Sequence, residues 1–398
     1  MPFTFTYSIT GYIDSNLPIT RGDKMIKLNQ NKEQFASIPK KNNERATENL
    51  KYFSSKNITR LDESDPVELA VMTSQLIWPA THEESRPGAI ILSAVDSWQL
   101  TLASADLIHH PNNGPILLID NDSIPQATLD EINRLQPKGN SEGTQVKVMG
   151  NVSEKVLESL EDYKIDQITD DNPASFAAEI DRFYAEVSGE LPENVIIVSS
   201  DDKAKDYSII ATYWIAHMPE PVLFVTEEEI PESTKEAIKK RENPTMYILG
   251  PSSVVSRQVE EELKELGKVK RIEGENPSEA SIAFTQFKDE ESGFGWGITD
   301  PGHGLSFVSS ETPNFALVTA PLAHLGKHAP LLFLDKGEMS ENMGRYLAKV
   351  KPTFEKSPME GPYNHGFIIG SLGDISYSLQ GIIDNKLEIE QKDGGGHH

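Results

Sequence analysis

Three apolar runs in this sequence are each followed by side chains that could do chemistry. Ser93, Asp96, Ser97 and Trp98 follow Ile90-Ile91-Leu92; Ser199, Ser200, Asp201 and Asp202 follow Ile196-Ile197-Val198; Ser309, Ser310, Glu311 and Thr312 follow Ser306-Phe307-Val308. If the runs are parallel strands, these residues stand at the carboxyl edge, where helix N-termini aim N–H groups outward. Ser93, Asp96, Ser199 and Ser309 are then candidate contacts for phosphates or sugar hydroxyls. The same residue types are what helix capping demands. Arg60 and Arg271 are candidate anion contacts, because a guanidinium binds phosphate or carboxylate in bidentate fashion. Gln167 stands at the equivalent place between them, so a three-fold anion site is already broken. The competing role for both arginines is an ion pair between domains.

Other chemistries find less support. His324 and His328 have the four-residue spacing that aligns two metal ligands on a helix, but Gly326 and Pro330 end a helix there. His109-His110 and His217 occupy the corresponding stretch of the other units, and helix C-terminal dipoles account for them without metal. No Gly-x-Gly-x-x-Gly follows a first strand, and there is no Gly-x-Ser-x-Gly elbow and no P-loop. The Gly-rich stretch Gly293 to Gly304 precedes a strand and reads as an insertion loop. The expectation is a protein that is not an enzyme and carries no cofactor. A sugar- or nucleotide-binding enzyme on the same fold is the weakest alternative.

The elements that position these residues recur three times. Gly114-Pro115-Ile116-Leu117-Leu118-Ile119 returns as Glu220-Pro221-Val222-Leu223-Phe224-Val225 and as Ala329-Pro330-Leu331-Leu332-Phe333-Leu334, at steps of 106 and 109 residues. The Ser-ending strand lies upstream each time. A third strand follows, ending at Gly150, Gly250 and Gly370. Each copy opens alike, with Arg60, Gln167 or Arg271 ahead of Asp65-Pro66, Asn172-Pro173 or Asn276-Pro277. The latter pairs are an N-cap followed by Pro at the first helical position. Nearly all-apolar strands separated by helices predict parallel sheets covered on both faces. The fold class is therefore α/β: three tandem Rossmann-like three-layer domains, over 57–163, 164–267 and 268–391.

Composition sets the outer bounds. The chain has 398 residues, no cysteine and a formal charge of −25. Without cysteine there is no disulfide scaffold, thiolate metal site or cysteine nucleophile. The acid excess argues against a nucleic-acid partner. Residues 1–56 hold nine Lys/Arg and five Asp/Glu, about +4, which leaves −29 for the remainder. Within that segment Phe3, Phe5, Tyr7 and Ile9 alternate with Thr and Ser as a strand does, and the lysine-rich stretch after Lys24 reads as a flexible tether or a weak helix. No run of about 18 apolar residues is present to span a membrane. Met1 is not followed by a signal-peptide pattern, and residues 392–398 read as a linker and tag remnant.

The arginine-hydrophobe-acid opening, the Pro-Ile-Leu-Leu strand and the hydrophobe-Gly strand resemble the type-2 cell-wall-binding repeat of Gram-positive surface proteins, over residues 57–391. The matches are best at Gly114 to Leu118 and at Arg271-Ile272-Glu273-Gly274. The resemblance implies three small Rossmann-like units assembled as a pseudo-trimer. It also implies non-covalent retention on the wall through an anionic polymer, and a location at the cell wall or cell surface. The sequence departs from the family at Pro66, Pro173 and Pro277, where a second Arg is usual. It departs again at Leu100, where an Asp is usual, and at the single Gly followed by Asn151, Pro251 or Ser371. These departures put the polymer contacts in doubt more than the fold. An acidic body facing an anionic polymer calls for local basic pockets or a bridging divalent cation, for which Asp120-Asn121-Asp122 and Glu227-Glu228-Glu229 are candidates. The alternative function is a structural subunit of a surface layer, self-associating by donation of residues 3–9.

Overall fold

Among the described residues, runs of four to six residues form twelve strands in three parallel four-stranded sheets, the inner strands nearly all apolar and the opening strands of the copies mixed with polar residues. The structure is a computed structural model, and it describes residues 32, 35–39, 44–47, 50–170 and 172–392. In chain order the strands are β1 (Ile58–Leu61), β2 (Ile90–Ala94), β3 (Ile116–Ile119), β4 (Val146–Met149) and β5 (Ile165–Ile168), then β6 (Asn194–Ser199), β7 (Val222–Val225), β8 (Thr245–Leu249) and β9 (Lys268–Ile272). They continue with β10 (Gly304–Ser309), β11 (Leu331–Leu334), the two-residue β12 (Thr353–Phe354), β13 (His365–Ile369) and the two-residue β14 (Glu390–Gln391). β12 and β14 pair separately with one another.

The three large sheets share one strand order: β3-β2-β4-β5, β7-β6-β8-β9 and β11-β10-β13-β1. The opening strand of each copy therefore pairs with the last strand of the copy before it. β5 lies beside β4 with Ile165 opposite Val146, and β9 lies beside β8 with Thr245 opposite Lys268. The opening strand of the first copy, β1, closes the third sheet, with Arg60 opposite Ile368. Ile90, Ile91, Leu92, Ile196, Ile197, Val198, Phe307 and Val308 are fully buried, as strands covered on both faces must be.

The helices that follow the opening strands are α1 (Pro66–Ile77), α2 (Pro173–Ser188) and α3 (Pro277–Gln286). Each starts as the Asx-Pro pairs predict. The Asp65 carboxylate accepts the Val67 and Glu68 N–H groups, Asn172 accepts those of Ala174 and Ser175, and Asn276 accepts that of Glu279. Such a cap contributes about 1 kcal/mol.

A second set of short helices, Trp98–Ser104, Ala211–Ile215 and Phe315–Thr319, follows the first strand of each sheet. These three touch one another pairwise, so they line the centre of a pseudo-trimer. One apolar cluster runs through the centre and includes Leu102, Trp214 and Val318. Polar links cross it as well: Tyr213 Oη lies 2.9 Å from Thr319 Oγ1, and Trp98 Nε1 donates to Asp202 Oδ1 at 3.1 Å. The Gly-rich stretch ahead of β10 contains no strand or helix over 290–303, in line with an insertion loop. It reaches back to the second unit, where Phe294 stacks on Tyr247 with centroids 3.7 Å apart.

The described residues ahead of β1 lie against the third unit, and to that extent they do not behave as a flexible tether. Lys386, buried in the helix Tyr377–Leu387, donates to the carbonyls of Phe35 at 2.7 Å and Ser37 at 3.1 Å. Ile38 packs on the core of the third unit. A Cβ on Gly344 would stand 3.0 Å from the Ala36 carbonyl, so the glycine makes room for the passing backbone. Further along, Gln380 Nε2 donates to the Phe53 carbonyl at 2.7 Å, and the Asn57 N–H to Asp384 Oδ1 at 2.8 Å. The strand expected over Phe3 to Ile9 and the tag remnant beyond residue 392 lie outside the described residues.

Candidate functional site

The carboxyl edges of the sheets place the sequence candidates in turns, and most of those groups are satisfied locally. Ser93 is fully buried and its Oγ lies 2.7 Å from Thr101 Oγ1, which donates in turn to the Ser97 carbonyl at 2.9 Å. Ser199 Oγ donates to Asp201 Oδ2 at 3.1 Å and accepts the Asp201 N–H at 3.2 Å. Ser309 Oγ accepts the Glu311 N–H at 3.2 Å. Each of these three hydroxyls is engaged with its own turn or the helix start beside it. Asp96 is exposed in the turn ahead of Trp98.

The arginines are engaged in the same way. Arg60 is 7% exposed; its Nε donates to Gln380 Oε1 at 2.7 Å, Nη1 to the Gly370 carbonyl at 2.8 Å and Nη2 to the Ile375 carbonyl at 2.7 Å. Arg271 repeats this pattern one sheet earlier. Its Nη1 donates to the Gly250 carbonyl at 2.8 Å, its Nη2 to the Val255 carbonyl at 2.9 Å, and its Nε to Glu260 Oε2 at 2.9 Å. Gln167 Nε2 donates to the Gly150 carbonyl at 2.9 Å in the remaining sheet. The three side chains fasten each fourth strand to the Gly turn at the end of its neighbour. In this arrangement the donors of Arg60 and Arg271 point into the fold. Arg271 also pairs with Glu260, its Nη2 lying 2.8 Å from Glu260 Oε2.

The three edges also differ from one another. The first opens on a cavity of about 520 Å³ lined by Ser97, Asn121, Asp122, Asn151 and Ser153 among others. The second is a shallow acidic basin of about 700 Å³ with Asp201, Asp202 and Glu227 to Glu229, where Lys203 pairs with Glu227. In the third, a Cβ on Gly337 would stand 2.0 Å from the Asp374 carbonyl, so loop closes against loop. Among the described residues no three His, Asp or Glu side chains gather as a metal site would need.

Arg345 and Lys349 meet in a groove elsewhere, where no sequence candidate lies. This groove of about 400 Å³ runs between α3 and the helix Glu341–Lys349 and is lined by Glu273, Glu279, Gln286, Asn342, Arg345 and Lys349 among others. Its charges are held by amides and a carboxylate: Arg345 Nη1 donates to Asn342 Oδ1 at 2.9 Å and Nη2 to Glu341 Oε2 at 3.1 Å, Asn342 Nδ2 donates to Glu279 Oε1 at 2.6 Å, and Lys349 Nζ to Gln286 Oε1 at 3.0 Å. Lys32 ends at the same helix, donating to the Lys349 carbonyl at 2.7 Å. Burial lowers its pKa, offset in part by Asp300, and Lys349 lowers it further. The spacing of Asn342, Arg345 and Lys349 on one helix face was the available signal.

Three small parallel α/β units, each closed by a strand from a neighbouring copy and gathered about a common centre, define the class of fold. Two solved structures share it. Cwp6 from Clostridium difficile matches with a TM-score of 0.68 and 15% identity over 87% of this chain and 51% of that one. Cwp8 from Clostridium difficile matches with a TM-score of 0.64 and 19% identity over 84% of this chain and 52% of that one. The chain thus spans about half the length of each, and at these identities the likeness is one of fold. The sequence matches no family model and no curated protein. Among the described residues no helix is long and apolar enough to cross a membrane.

Proposed function

We propose that the protein is a non-catalytic cell-surface protein that binds an anionic cell-wall polymer through the groove of its third unit. The observation that carries this reading is the placement of Arg345 and Lys349 beside Gln286 and Asn342 in one groove of a strongly acidic chain, with Lys32 bound to the same helix. The Arg345 guanidinium and the Lys349 ammonium can meet phosphate or carboxylate, and Asn342 and Gln286 suit sugar hydroxyls. The fold likeness to the cell wall proteins Cwp6 and Cwp8 supports a place at the cell surface. A divalent cation bridging polymer and acidic surface would add to the contact without a resident metal site.

Retention on purified walls tests the reading. Intact walls should retain the protein and walls stripped of secondary polymer should not. Arg345→Ala with Lys349→Ala should reduce retention about tenfold or more, and retention should fall as salt rises. Equal retention on stripped and intact walls would remove the polymer, and an unaffected double variant would remove the groove.

A further inference from the structure

The sequence reading treats His109, His217 and His324 as separate helix-end residues of three units. The structure brings them to one point at the C-terminal ends of the central helices. The rings of His109 and His324 lie 4.0 Å apart between centroids, and those of His217 and His324 6.0 Å apart. His328 adds a fourth ring, 4.8 Å from His217 and 6.3 Å from His324. Trp296, on the insertion loop of the third unit, stacks on His217 at 5.4 Å with the planes 6° apart. Nδ1 of His217 and Nδ1 of His324 are buried and hydrogen-bond to nothing. A helix-end role calls for charged imidazoles, whereas this packing calls for neutral ones.

We propose that His109, His217, His324 and His328 form a proton-sensitive lock at the junction of the three units. Neutral rings pack face and edge across the junction, and protonation sets like charges against one another and opens it. This inference stands apart from polymer binding.

The groups around the rings leave little to compensate such charge. From the first unit come His109 itself and His110, whose ring meets Tyr184 of α2 at 5.8 Å. Asp106, ahead of them, is a buried carboxyl with neither oxygen hydrogen-bonded. From the second unit comes Trp214 at 6.4 Å from His217, with its indole N–H donated to Glu220 Oε2 at 3.0 Å. From the third unit comes Lys327, a further cation beside His328. Burial lowers His217 to about 4, helped by His328, His324 and His109. Burial lowers His324 to about 4 as well, helped by His109 and His328. The buried carboxyls of Asp106 and Glu220 are shifted upward, first by burial, and so lose charge early as acid is added.

The sign follows from linkage. An unfolded imidazole titrates near 6.5 and these folded ones near 4, so between those values unfolding takes up protons and stability falls as pH falls.

Urea unfolding of the full chain between pH 4.5 and 7.5 reads that uptake as the slope of stability against pH. His217→Asn with His324→Asn should unfold with about two fewer protons taken up between pH 5 and 6. Carboxylates contribute equally to both proteins, so equal slopes would overturn the proposal. Proton NMR of the unaltered chain needs no variant: at least two imidazoles should titrate below about pH 5.5, and all of them near 6.5 would overturn it. Opening itself should appear in small-angle scattering as a rise in radius of gyration before helical signal is lost. A constant radius up to that loss would also overturn it.

Discussion

Arg60 precedes Gly370 by 310 positions, and its Nη1 donates to the Gly370 carbonyl at 2.8 Å. The bond ties β1 to the turn that ends the third sheet. Arg271 to Gly250 and Gln167 to Gly150 are the same bond made between adjacent copies. The fold therefore uses a single fastening three times, once across almost its whole length.

Truncating that fastening has a graded cost. Arg60→Ala would leave two carbonyls and the Gln380 amide oxygen buried and unpaired, for an expected loss of about 3–5 kcal/mol. Arg60→Gln should cost roughly half as much, because Gln167 already serves the first sheet. Urea-unfolding midpoints measure both. An alanine variant within about 0.5 kcal/mol of the parent would show that the three bonds contribute little net stability.

Shortening the chain from its start separates two contributions. A chain beginning at Leu50 loses the Ile38 contact and the carbonyls held by Lys386, for about 2–3 kcal/mol. A chain beginning at Glu63 loses β1 and leaves β13 as a bare edge. Proteolysis of the stretch 365–387 should then become rapid, with loss of a cooperative transition. Equal protease resistance in the two truncations would contradict the role given to β1.

Asp106 offers a test by pH. Burial, with Asp181 and Glu220 nearby, raises its pKa well above the usual carboxylate value. Above about pH 4 the unfolded carboxyl ionises while the folded one keeps its proton, so this group costs stability as pH rises. Asp106→Asn should raise the melting temperature at pH 7 and leave it nearly unchanged at pH 4. A fall at pH 7 would mean that the carboxyl has a partner in solution.

Much of this architecture is legible in the sequence because it is written in local pattern. The apolar strands, the Asx-Pro helix starts and their threefold recurrence depend on neighbours a few residues apart. The destination of each opening strand does not, since Ile58 to Leu61 carries no mark of its pairing with residues 365–369. The same gap explains Arg60 and Arg271, whose partners are main-chain carbonyls that no side-chain pattern reveals. Gln167 was the available clue, because an amide replaces a guanidinium more readily in a neutral carbonyl site than in an anion site. The groove and the histidine junction escaped for a related reason. Each is assembled by elements that meet only once the units pack.

The handing back of β5 and β9, and the long return of β1, fix a stoichiometry. Every copy gives one strand and lacks one, so a chain of such copies balances only when its first donor meets its last acceptor. Two copies would have to span that return around a narrower centre, and a fourth would find no vacant edge in the closed set. Here the set closes at three, and adding a copy by gene duplication would mean breaking the ring before enlarging it.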